Sequence, residues 1–142
     1  MESAFLGLVL DSSAVISAER RQQPIVEFIE AILRAHGPLD LSLSPVTVAE
    51  LVHGIYRAKS PQTSQRRREY IEELISLVPV HPATARTAWV VGQIEGEEAA
   101  KGNTLPFNDL MIAAAAIEQG YAALTGNLRH FRSIPGVTVV ET

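Results

Sequence analysis

The stretch that most constrains this chain is Leu6 to Ala14, LGLVLDSSA, where an apolar run stops at a carboxylate, Asp11, followed by two hydroxyls. Leu8 to Leu10 show no polar alternation, the mark of a parallel strand covered on both faces. A strand of that kind belongs in an α/β sheet with helices on either side. Asp11 then stands at the carboxyl end of the strand, the edge where open α/β sheets bind ligands. What the chain does depends on which other residues reach that edge.

Periodicity supplies the helices. A short one is expected from Ala14 to Glu19. After Pro24, which suits a first turn, Ile25, Phe28, Ile29, Ile32 and Leu33 form an apolar stripe ending near Gly37-Pro38. Leu39 to Leu43 alternates as a short strand, and Ser44-Pro45 opens a helix to about Arg57. A fourth helix is expected over Gln62 to Leu77, with Val78 to Val80 as a further strand candidate. From Ala83 to Lys101 the pattern is helical, and the small residues Ala88, Gly92, Gly96 and Ala99 or Ala100 make a stripe that permits close helix approach. Leu110 to Ile117 is apolar all round, so the helix from near Pro106 or Asn108 to Gln119 should be central and buried, with Gly120 ending it. Ala122 to Leu124 and Val137 to Val140 complete the strands. The expected architecture is α/β: a central, mostly parallel sheet of four to five strands flanked by helices.

At 142 residues, the chain is expected to form a single domain over 1–142. Without cysteine there is no disulfide framework, thiolate metal site or cysteine nucleophile, which permits a reducing, cytoplasmic setting. The apolar runs fall short of the ~18 residues of a membrane span, and Glu2 stands where a leader peptide would be positive. A net charge of −4 argues against a broad basic surface for nucleic acid. It leaves room for nucleic acid as a substrate at an acidic, metal-holding site. The Arg66-Arg67-Arg68 triplet reads as a solvated helix face.

Three acids stand in apolar or helix-opening surroundings: Asp11, Glu50 and Asp109. Each has an ordinary explanation. Asp11 can cap the next helix, Glu50 can close a capping box with Thr47, and Asp109 can complement the dipole of its helix with Asn108 as cap. Together they suggest more, because carboxylates near a core are paired or bound to metal. Oxygen-only ligation suits Mg²⁺ or Mn²⁺. Ser13 and Thr125-Gly126-Asn127, each directly after a strand, could add oxygens. Glu50 and His53 have the spacing of di-iron bundles, but that motif is needed twice and occurs once. His130 reads as a surface or packing residue, and His36 and His81 as loop residues.

Asp11 and Ser13 after the first strand, Glu50 in TVAEL, NDLMIAAAA from Asn108, LTGNLRHF from Leu124 and IPGVTVV from Ile134 occur in that order. Together they resemble the PIN-domain ribonucleases, specifically the VapC-type toxins of bacterial toxin-antitoxin pairs. The resemblance implies a PIN-like three-layer fold, with Asp11, Glu50 and Asp109 as metal-binding catalytic acids and Ser13 and Thr125 supporting them. It implies Mg²⁺- or Mn²⁺-assisted hydrolysis of an RNA phosphodiester, a homodimer, and an antitoxin whose C-terminal segment occupies the acidic groove. Many members carry a fourth acid where this chain has Asn127, so one firmly held metal is expected, with Asn127 positioning metal or phosphate. RNA would be drawn in by basic residues around the site, with Arg20, Arg21, Arg57, Lys59, Arg129 and Arg132 as candidates. Two other readings stay open. One is a PIN-like module that binds RNA or protein without cutting. The other is an aspartyl-phosphate phosphatase of the haloacid-dehalogenase-like kind, which would need a second Asp where Ser13 stands.

Overall fold

Successive side chains of a strand point to opposite faces, and in β1 (Gly7–Leu10) this divides the interior in two. The structure, a computed structural model, describes residues 5–142, so Glu2 lies outside it. Leu8 and Leu10 join a core formed with α1 (Ser12–Arg20), α2 (Ile25–His36), α3 (Pro45–Tyr56) and α4 (Pro61–Leu77). Val9 joins a second core with α5 (Ala85–Ala100), α6 (Phe107–Gln119) and α7 (Leu128–Arg132). The sheet between these layers adds β2 (Asp40–Leu43), β3 (Ala122–Thr125) and β4 (Thr138–Glu141), in the order β2-β1-β3-β4. All pairings are parallel, with Leu10 opposite Leu43 on one side and Leu124 on the other. This is the three-layer α/β fold expected from the sequence. Among the described residues, no helix is long and apolar enough to cross a membrane.

The winding positions the functional edge. β1 connects to β2 through α1 and α2 on one face, whereas the path from β2 to β3 passes β1 and returns through α6 on the other. The direction of winding therefore reverses beside β1, and such a switch point opens a crevice at the carboxyl ends of the strands. α6 is buried along Leu110 and Ile112 to Ala116, as its all-round apolar pattern predicts, and Gly120 ends it in the left-handed conformation at φ 71°. Because α6 runs antiparallel to the strands, its first turn lies at the same edge as Asp11.

Three local expectations change, and one element was not anticipated. Val80 forms a single parallel bridge to Leu43 rather than a strand, because Pro79 offers no N–H to extend a ladder. The small-residue stripe of α5 faces outward, with Gly92 and Gly96 exposed and nothing within 4 Å of the place a Cβ would take on either. Its buried face is Thr87, Val91, Ile94 and Glu98. α1 begins at Ser12, since Asp11 takes the extended N-cap position, φ −77° and ψ 153°. α7 is only five residues long and has no apolar periodicity to read.

One glycine is required by space. A Cβ on Gly7 would lie 2.5 Å from the Asp40 carbonyl oxygen and 2.7 Å from the Tyr121 ring. Gly7→Ala is expected to cost about 1–3 kcal/mol, the usual range for overpacking, seen as a lower midpoint in urea unfolding. An unchanged midpoint would show that β1 and β2 can separate without loss.

Candidate active site

Asp11 is buried, with 6% of its surface exposed, and sits directly beyond β1, where its N–H still donates to the Leu124 carbonyl at 2.9 Å. It occupies the N-cap of α1, yet its side chain caps nothing. Two hydroxyls converge on its Oδ2 instead: Ser13 Oγ donates at 2.6 Å and Thr125 Oγ1 at 2.8 Å. Each hydroxyl is itself held by the turn after β3, where the Gly126 N–H donates to Ser13 Oγ at 3.0 Å and the Asn127 N–H to Thr125 Oγ1 at 2.9 Å. A carboxylate fixed in this way has its orientation set by two strands.

Glu50 does not close a capping box. Ser44 caps α3, and Thr47 donates its hydroxyl to the Leu10 carbonyl at 3.3 Å. The Glu50 side chain is free to face the crevice, where Ser12 Oγ donates to its Oε1 at 3.3 Å. Asp109, in the first turn of α6, likewise has no capping partnership with Asn108, because Pro106 holds the N-cap position. Its Oδ2 lies 3.5 Å from His130 Nδ1. That nitrogen is also 3.0 Å from Asn127 Nδ2. Asp109 Oδ2 is buried and has no hydrogen-bond partner. Asp109 and His130 are close without being hydrogen-bonded.

A PIN domain family model matches residues 8–137, a span that holds all three acids and both hydroxyls. The chain belongs to the PIN-domain family, among the VapC proteins. It is 33% identical over 101 residues to the tRNA(fMet)-specific endonuclease VapC of Salmonella typhimurium, covering 71% of this chain and 74% of that one. Among solved structures, the DNA-bound VapBC of Salmonella typhimurium matches with a TM-score of 0.79 at 26% identity, over 96% of this chain and 98% of that one. VapBC-5 of Mycobacterium tuberculosis, a member of the VapBC family of toxin-antitoxin systems, shares the fold with a TM-score of 0.73 at 22% identity, over 96% and 99%.

In this PIN domain the three acids influence one another. Burial pushes the Glu50 carboxyl above its ordinary value, and Asp11 and Asp109 push it further, against hydrogen bonds from Ser12 and Asn108. Burial also raises Asp109, with Asp11 adding to the effect and His130 opposing it. Negative charge is therefore concentrated at the crevice. Among the described residues, no three His, Asp or Glu side chains form a ready-made metal cage. Mg²⁺ does not need one, since it usually keeps several waters and takes one or two carboxylates. An orphaned Asp109 oxygen beside a fixed Asp11 fits that requirement.

Of the residues singled out from the sequence, Asp11, Ser13 and Thr125 are joined by hydrogen bonds, and Glu50 and Asp109 face the same crevice. Asn127 contributes its N–H to Thr125, while its side chain turns to His130. Ser12, Asn108 and His130 were not assigned to the site from sequence. The Ser12 and Asn108 contacts depend on tertiary approach, and only their adjacency to Asp11, Ser13 and Asp109 hinted at them.

A carboxyl whose folded pKa is raised loses stability as pH rises through that range. Without divalent metal, Asp109→Asn is expected to match the parent's melting temperature in acid and to exceed it increasingly as pH climbs above the ordinary carboxylate value of 3.8. Thermal melts in chelator across that window measure this, and a variant no more stable at neutral than at acid pH would contradict it.

Proposed function

We propose that the chain is a divalent-metal-dependent endoribonuclease, the toxin of a toxin-antitoxin pair acting in the cytoplasm. The observation that carries this reading is the convergence of Asp11, Glu50 and Asp109 at the switch point of the sheet, with an orphaned oxygen on Asp109. The tRNA(fMet)-specific VapC relative supports RNA as the substrate class, and the VapBC neighbours support an antitoxin partner.

Asp11 and Asp109 would hold Mg²⁺ or Mn²⁺, with Glu50 as a further ligand or as the group that orients the attacking water. A cation bound there supplies a lowered water pKa and offsets charge developing on the phosphate. Ser13 and Thr125 keep Asp11 Oδ2 occupied, which leaves its other oxygen as the one available to a cation. Asn127 holds His130 beside Asp109. With three carboxylates and a neutral Asn127, one firmly bound metal is the expected stoichiometry. Tyr56 and Trp89, 74% and 78% exposed, supply apolar area for a second copy of the chain or the antitoxin.

Asp11→Asn and Asp109→Asn are each expected to reduce Mg²⁺-dependent RNA cleavage by on the order of 100-fold or more while the circular dichroism spectrum stays native. Thr125→Val, which leaves the acids in place but frees Asp11, should lose about 10- to 100-fold. Undiminished cleavage in both acid variants would end the enzyme reading in favour of a PIN domain that binds without cutting.

A further inference from the structure

α1 and α3 both start at the acidic edge and run side by side away from it, and α4 closes over them. The three enclose a groove of about 450 Å³ that has Glu50 at one end. Its floor is apolar, built from Val15, Leu51 and Ile71. Along α3, Glu50, Gly54 and Arg57 follow at helical spacing on the groove side, so Arg57 lies roughly 10 Å beyond Glu50 at 1.5 Å per residue. Arg20 at the end of α1 and Lys59 after α3 also line the groove.

These cations differ from their basic neighbours. Arg67 also lines the groove, but it donates to the Gly54 carbonyl at 2.7 Å, and its Nε lies 3.9 Å from Glu19 Oε1, with Arg66 Nε at 3.8 Å from the same oxygen. Arg21 is turned to Ser17 and Gln23. Arg20, Arg57 and Lys59 are exposed and make no ion pair among the described residues. In a chain of net charge −4, three unspent cations on one groove that ends at a catalytic acid mark a path for a polyanion.

We infer that this groove is the track for a single-stranded RNA backbone, with Arg20, Arg57 and Lys59 holding phosphates that flank the one being cut. The inference rests on the ribonuclease reading and adds to it the direction in which the strand leaves the acids: over the α1–α3 cleft.

The test uses the full chain with Asp11→Asn, which prevents cutting, and a short unstructured RNA oligonucleotide in Mg²⁺. Binding is followed by fluorescence anisotropy across a NaCl series. Each of Arg20→Gln, Arg57→Gln and Lys59→Gln should flatten the slope of log affinity against log salt by about 0.7, and the triple variant by about 2. Arg34→Gln, on α2 and paired with Glu30, should leave the slope unchanged. In the cutting-competent chain the triple variant should raise KM and retain kcat. An unchanged slope in the triple variant, while the parent still binds and cuts RNA, overturns the inference and leaves the groove to a polypeptide partner. A parent that neither binds nor cuts RNA in Mg²⁺ or Mn²⁺ fails the ribonuclease reading itself, and the inference falls with it.

Discussion

Carboxylates drawn together out of water repel one another, and much of the local structure around Asp11, Glu50 and Asp109 answers that repulsion. Ser13 and Thr125 therefore converge on Asp11, Ser12 and Asn108 on Glu50, and His130 lies against Asp109. Burial, with Asp11 adding to it, still holds the Glu50 and Asp109 carboxyls above their ordinary values.

The fold makes such a concentration of charge tolerable by putting it at an edge. Leu8, Val9 and Leu10 are wholly buried and Asp11 is the first polar residue after them, so the carboxylate is anchored by a rigid strand while its oxygens meet the crevice. The alanine-rich middle of α6 continues the second core up to the same edge, which fixes the height of Asp109 relative to Asp11. The polar interior is held equally firmly elsewhere: Gln119, at the far end of α6, donates to Ser42 of β2 at 3.0 Å.

Much of this was legible in the residues. An unbroken apolar run ending in Asp11 read correctly as a central parallel strand, and the all-round apolar pattern of Leu110 to Ile117 as a buried helix, because both depend only on local composition. What was not legible depends on which way a side chain turns. The Asn127 amide faces His130, and no spacing rule encodes that rotation. The outward face of the α5 stripe was hidden for a related reason. A helix that carries Trp89, Val90, Val91 and Ile94 beside a row of small residues has more than one plausible inner face, and only packing against α6 selects among them.

The hydrogen bonds at Asp11 also carry information about time. Thr125 pairs with Asp11 across 114 positions, and Glu50 joins Ser12 across 38. Non-local contacts of this kind form late, after the loop-closure entropy of the intervening chain has been met. Asp11 therefore acquires both of its hydroxyl partners only once β3 lies beside β1, so the orientation of this carboxylate belongs to the completed sheet and to neither strand alone.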